Sequence, residues 1–375
     1  MDLQSELQTY LSSIPDYRQS GKVLHSLSDL ILTALFTFLS NGQDYEDMVL
    51  FGQQHGSSLS QYLSYSNGVP SSDTFSRVFR HIEPSVFYDL LVHYGSLFLG
   101  ELSEKQINLD GKKLRGASPK SKGNNGLYLV NAWVSEHKLC VGQCQVSDKS
   151  NEITAFPQLI ASLEITDAVV SIDAIGCQVE IAKQIVQQKG HYFLAVKDNQ
   201  PTLHLEIQQA FQLNDTQVAT TDWIEEGTAS QKSKRKCSVL DAKTTLPDEL
   251  LQRWNNLNTL VKVESINKGV AETRYYISDE VLESKFNNPM YFNKLARGCW
   301  SIENHLHWHL DVSFKEDDSR IRSGYAPQNL AILRKIALHL IQNAKNYFRL
   351  SIAKIRYKIS LNINTLIELL NFSRG

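Results

Sequence analysis

Little in this sequence points toward a membrane or an oxidising compartment. Five cysteines in 375 residues, an odd number without a CxxC pair, give no regular disulfide framework and suit a reduced, cytoplasmic protein. Long apolar runs are missing. The most apolar N-terminal stretch, Leu27 to Leu39, contains Asp29 and is too short to span a bilayer. Met1-Asp2-Leu3-Gln4 has neither the basic start nor the apolar region of a secretory signal. There is no Gly-rich loop to cradle phosphates, hence no sign of ATP use, and no HExxH zinc pattern. Net charge is almost absent as well, 38 Lys and Arg against 40 Asp and Glu giving −2. Core-forming residues are plentiful: 42% hydrophobic and 9% aromatic exclude a disordered chain, and the length suggests two or three structural units.

The neutral total hides local asymmetry. Residues 331–375 carry Arg334, Lys335, Lys345, Arg349, Lys354, Arg356, Lys358 and Arg374 against Glu368 alone. A second cluster, Lys112, Lys113, Arg115, Lys120 and Lys122, follows Asp110. Such patches can neutralise phosphates and release counterions on a nucleic acid. The plainer reading, a solvated helix face and a loop, is the one charge alone favours.

The first hundred residues read as an all-α unit. Ser26 or Ser28 opens a helix through Leu39, with further helices over Tyr45–His55 and Ser57–Tyr65. After the Asn67-Gly68-Val69-Pro70 turn, Ser71-Ser72-Asp73 caps a helix to about His81, and Pro84 begins one reaching Leu99. Strands then dominate: Gln106–Asp110, Leu127–Val134 and Leu139–Val146 form a meander. A helix follows over Glu152–Leu163, then an apolar strand Ala168–Ile172 ending in Asp173, a helix Cys177–Gln188, a strand His191–Val196, and a helix opened by Pro201. Three strands, helix, strand, helix, strand, helix is the order of a ribonuclease H-like α/β fold, a mixed sheet with helices on both faces. Residues 215–285 read as a β-rich insertion, and helices resume near Asn293. The expected organisation is therefore a helical domain over 1–100 and a ribonuclease H-like domain over 101–375, ending in a basic helical region.

Asp110 and Asp173 sit at or near the carboxyl ends of strands that this topology makes neighbours. Two carboxylates a few ångströms apart repel unless a cation intervenes, and Mg²⁺ prefers such oxygens. The bland alternative is one turn cap and one surface aspartate. A third carboxylate would come from a later helix, with Glu303, Asp311, Glu316, Asp317 and Asp318 as candidates. Glu303 is flanked by Trp300, Ile302, Leu306 and Trp308 and so faces inward, toward a metal or toward Arg297 or Arg320. His305 and His309, four apart, have the spacing of a zinc pair, but without a third ligand the three histidines including His307 read as hydrogen-bonded or DNA-facing.

Several blocks resemble the H-repeat-associated insertion-sequence transposases, a DDE transposase family. They are Asn108-Leu109-Asp110-Gly111-Lys112, Asp148-Lys149-Ser150-Asn151-Glu152-Ile153, Ser171-Ile172-Asp173-Ala174 and Leu194-Ala195-Val196-Lys197-Asp198-Asn199-Gln200. Trp300-Ser301-Ile302-Glu303-Asn304, Leu306-His307-Trp308 and Leu310-Asp311-Val312 continue the match, as does Gly68-Val69-Pro70-Ser71-Ser72-Asp73-Thr74-Phe75 near the N-terminus. The order and spacing hold over nearly the whole chain.

That resemblance implies Asp110, Asp173 and Glu303 as catalytic metal ligands for Mg²⁺, with Mn²⁺ as substitute. It implies cutting and joining of double-stranded DNA at element ends, by a homodimer on DNA and without a membrane. Lys112, Lys113, Lys197, Arg297, Lys315 and Arg320 are the expected DNA contacts, and Asn304 and Asp311 would orient the Glu303 helix. Related enzymes often place an Arg where Cys299 stands and a Lys in the region of His309 and Leu310, and a His where Ser72 stands. The alternatives are a transposase-derived DNA-binding protein without catalysis, or a metal-dependent nuclease without strand transfer.

Overall fold

The N-terminal helices begin where a side-chain oxygen takes up a free backbone N–H. A computed structural model describes residues 3–117, 127–146, 151–214, 218–228, 231–282 and 289–372. Lys120, Lys122, Asp148, Lys149, Ser150 and Arg374 lie outside the described residues. After α1 (Leu3–Ser13), Ser26 accepts from Asp29 N–H to open α2 (Leu27–Leu39), and Asp44 accepts from Asp47 N–H to open α3 (Tyr45–His55). Ser71 does the same for α4 (Ser72–His81), and Pro84 occupies the first turn of α5 (Pro84–Leu99). The helix expected over Ser57–Tyr65 shrinks to a single 3₁₀ turn, Ser57–Leu59. The cause is Asp29, buried on α2, whose carboxylate accepts from Ser64 N–H at 3.0 Å, Ser64 Oγ at 2.6 Å and Tyr65 N–H at 3.4 Å. Amides drawn to a distant carboxylate are not available to a helix.

The remainder is built on one sheet. Its first part is β1 (Gln106–Leu114), β2 (Leu127–Val134), β3 (Leu139–Val146), α6 (Glu152–Ala161), β4 (Val169–Ile172), α7 (Val179–Gln187), β5 (His191–Val196) and α8 (Pro201–Leu213). The insertion supplies β6 (Ala219–Thr220), β7 (Ile224–Thr228), β8 (Gln231–Asp241), α9 (Ala242–Thr245), α10 (Asp248–Arg253), β9 (Thr259–Asn267) and β10 (Val270–Ser278). Strand order is β3-β2-β1-β4-β5-β10-β9-β8-β6, with β7 paired to β8. Among the described residues, only β4 has parallel neighbours on both sides, β1 and β5. β10 joins β5 antiparallel, so the insertion prolongs the sheet. An all-α N-terminal region followed by a mixed sheet with helices is the expected ribonuclease H-like arrangement.

Past the sheet run α11 (Pro289–Gly298), a π-helical turn over Glu303–His307, α12 (Trp308–Val312), α13 (Ala326–Phe348), α14 (Ile352–Leu361) and α15 (Asn364–Phe372). Alternation along β3 shows both faces covered. Gly142 meets Leu159 of α6, while Val141 meets Gly95 of α5 and Gln143 accepts from Lys335 of α13. α13 is buried along most of its length and packs on α2, α4 and α5. Asn329 Nδ2 donates to Phe79 O at 3.1 Å and Ile82 O at 2.9 Å, where α4 ends. Three members of the basic C-terminal cluster, Arg334, Lys335 and Arg356, are internal. Arg356 Nε donates to Phe38 O at 2.8 Å, and its guanidinium lies 4.1 Å from the Phe314 ring centre. Among the described residues no helix is long and apolar enough to cross a membrane.

Candidate active site

Alternation along β1 places Gln106, Asn108, Asp110 and Lys112 on one face, a polar row beneath residues 289–317. Gln106 Nε2 bonds Ser171 Oγ at 3.0 Å and Leu295 O at 2.9 Å, and Gly298 passes so close that a Cβ there would meet the Gln106 amide. Trp133 Nε1 donates to Ser301 Oγ at 2.9 Å. These contacts fix the segment that carries Glu303 over the end of β1.

Leu109 pairs with Ile172 in the last step of the parallel β1–β4 register, so Asp173 leaves the end of β4 beside Asp110. Asp110 lies within β1 rather than at its end as expected, because β1 continues against β2 to Leu114. Asp110 Oδ1 accepts from Gly111 N–H at 2.9 Å, and Asp173 Oδ1 accepts from Ile175 N–H at 3.1 Å to start a 3₁₀ turn. Asp110, Asp173, Glu303, Lys197 and Arg274 line one cleft of about 350 Å³. Burial pushes the Asp110 carboxyl up to about 6; the nearby His307 opposes this, while Asp173 and Glu303 reinforce it. Glu303 is held below its ordinary value, first by its hydrogen bond with His307.

Two neighbours were not singled out as site residues from the sequence. Glu152, the first residue of α6, rests against Gly111, where a Cβ would collide with its Oε1. Its carboxyl is raised by burial and then by Asp110 and Asp173. His307 is buried, with Nδ1 3.1 Å from Glu303 Oε2 and 3.4 Å from Asp110 Oδ2. Among the described residues, Asp110, Glu303 and His307 are the group whose donor atoms lie within 4.8 Å of one another; His305 and His309 are outside it. His309 Nδ1 is instead 3.2 Å from Ser313 Oγ. Crowded, partly ionised carboxylate oxygens are the donor set that a hard divalent cation takes, so the residues fit such an ion.

The other expected residues are placed unequally. Lys197 lines the cleft, and Arg297 lines the adjoining groove with Arg274 and Trp300, whose ring centre lies 4.0 Å from the Arg274 guanidinium. Lys113 is exposed. Lys112 is buried, with Nζ 2.5 Å from Asp311, 3.4 Å from Glu316 and 3.5 Å from Asp317. Lys315 and Arg320 line a separate cleft with Asp44 and Ser72. Asn304 Nδ2 donates to Trp300 O, and Cys299 Sγ donates to Leu295 O.

Comparison with known proteins covers nearly the whole chain. Residues 8–94 match the family described as DDE_Tnp_1-associated, and residues 102–340 match that described as Transposase DDE domain. The chain is 33% identical over 378 residues to "H repeat-associated putative transposase YhhI" of Escherichia coli strain K12, covering 97% of both chains. Over 377 residues it is 33% identical to "Putative protein YbfL" of the same strain, again with 97% of both chains covered. It is 32% identical over 381 residues to "Putative transposase YncI" of Escherichia coli O157:H7, covering 99% of this chain and 95% of that one.

Proposed function

The chain belongs to the Transposase DDE domain family, and on that premise we propose that Asp110, Asp173 and Glu303 hold the divalent cations with which it cuts and joins DNA at the ends of its own element. The observation that carries this is the meeting in one cleft of two aspartates from adjacent parallel strands and a glutamate from a later helix. Mg²⁺, or Mn²⁺ in its place, when bound supplies charge neutralisation at the scissile phosphodiester and a more acidic water.

The protein's own groups provide position. Asp110 feels the charges of both Asp173 and Glu303. Lys197 on the cleft wall and Arg274 at the junction with the neighbouring groove offer cationic contacts to the DNA backbone. Hydrolysis breaks a P–O3′ bond and leaves a 3′-OH and a 5′-phosphate. The freed 3′-OH then attacks a target phosphorus in the same cleft and displaces a target 3′-oxygen. The helices before residue 100 and the strands of the insertion grip the DNA, and two copies bring two ends together in the cytoplasm.

The test is a DNA fragment carrying the gene with generous flanks, incubated with Mg²⁺ or Mn²⁺ and mapped at nucleotide resolution beside Glu303→Gln. Metal-dependent cuts at discrete flanking positions and joined products, both lost in the variant, are expected. Cuts without joined products would leave a nuclease. Specific binding to the flanks with no cut by either protein would leave a DNA-binding relative.

A further inference from the structure

His307 is buried with its ring between the two carboxylates and β2. Its side chain is 5% exposed, yet Nδ1 faces two carboxylates, Glu303 Oε2 at 3.1 Å and Asp110 Oδ2 at 3.4 Å. Donors in neighbouring positions around a cation bound at ~2.1–2.2 Å stand roughly 3 Å apart. Both edges are therefore close to what one coordination shell requires. A π-helical turn, a feature that recurs at functional sites, carries both Glu303 and His307.

The far side of the ring distinguishes a ligand from an ordinary hydrogen-bonding histidine. Nε2 faces the side chain of Asn131, a fully buried residue directly opposite Asp110 on β2. Asn131 Nδ2 is 3.4 Å from Nε2, and Asn131 Oδ1 has no partner. The two ends of an amide are interchangeable in such a geometry. With Oδ1 turned to the ring it accepts from Nε2–H, and the Nδ1 lone pair is left facing Asp110 and Glu303. Metal-bound imidazoles keep their second nitrogen on an outer acceptor in this way.

We infer that His307 Nδ1 is a ligand of the cation held by Asp110 and Glu303, so that this part of the centre is mixed nitrogen and oxygen rather than carboxylate alone. The inference rests on the reading of Asp110 and Glu303 as metal ligands given above. An imidazole ligand favours later first-row ions over Mg²⁺, which binds oxygen by preference.

The probe is Mn²⁺ added to the full chain and read by pulsed electron paramagnetic resonance. A nitrogen coupling to Mn²⁺ is expected, and it should change to the ¹⁵N pattern when the protein is grown with ¹⁵N-histidine. That labelled, unsubstituted protein gives an answer whether or not His307→Gln folds. In folded His307→Gln the coupling disappears and the Mn²⁺ Kd rises at least ~10-fold, the smaller end of what losing even an outer partner costs. His305→Gln and His309→Gln retain the coupling. Mn²⁺ binding that weakens in Asp110→Asn and Glu303→Gln yet shows no histidine nitrogen overturns the inference and leaves the carboxylate reading standing. Mn²⁺ binding indifferent to both carboxylate variants, or no binding at all, overturns the two together.

Discussion

Asp110 is placed where its charge is costly. Its carboxyl titrates near 6 when folded against an ordinary 3.8, because burial and the neighbouring carboxylates disfavour the anion. A folded-state value above the unfolded one means that ionisation works against folding. The penalty is absent below about pH 4, grows through pH 6 and is complete above it. Asp110→Asn is therefore expected to stabilise the metal-free protein at pH 8 and not at pH 3.5, as thermal unfolding across pH would reveal. The gain should be about 1–2 kcal/mol, below the full linkage because a third of the side chain meets water. The proximity of Asp110 and Asp173 was legible in the sequence from the strand order, which makes β1 and β4 neighbours, although β1 runs on past Asp110 to Leu114. His307 was not, since three alternating histidines carry no mark of which one turns toward a distant aspartate. Glu152 was hidden for a different reason: it fills the space beside a glycine that has no side chain to announce a contact.

Lys112 ties one element to another. It lies two residues beyond Asp110 on the same face of β1, and its bonds to Asp311, Glu316 and Asp317 hold the chain just after the Glu303 turn. Read as sequence, Lys112 belonged to a basic cluster awaiting phosphate; in the fold it is enclosed by acids. Glu316 is as buried as its partner, so Lys112→Met removes its ion-pair partner and leaves this internal carboxylate to the longer-range charges of Arg334 and Lys335. Loss of about 3–5 kcal/mol is expected in urea unfolding, together with weaker Mn²⁺ binding as the Glu303 segment loosens. Lys112→Arg should recover part of both. Most element boundaries followed from local chemistry such as the Ser26 and Ser71 caps and the Pro84 and Pro201 starts, which need no knowledge of the rest of the chain. The stretch after Ser57 failed that logic because its amides answer to Asp29, a partner whose position only the tertiary fold defines.

At the scale of the molecule, one apolar core runs from the N-terminal helices through the sheet to α15. We propose that the helical unit before residue 100 serves DNA contact, but α13 covers the sides of α2, α4 and α5 that such a unit would otherwise expose. Residues 1–100 made alone are expected to lack a cooperative thermal transition, and the full chain to show one. The basic character of the last forty-five residues is divided: Lys345, Arg349, Lys354 and Lys358 lie on the solvated surface that charge alone suggests, while Arg334, Lys335 and Arg356 spend their charge inside. Arg356 and the Phe38 carbonyl it binds are 318 residues apart. At a synthesis rate of ~5–20 residues per second, roughly 16–64 s separate the two on the ribosome. The first helices therefore leave the exit tunnel well before the residue that closes the end of α2 exists. A message broken before codon 356 would yield a polypeptide that lacks this closure, so the integrity of a distant downstream stretch of the message is read out in the packing of its beginning.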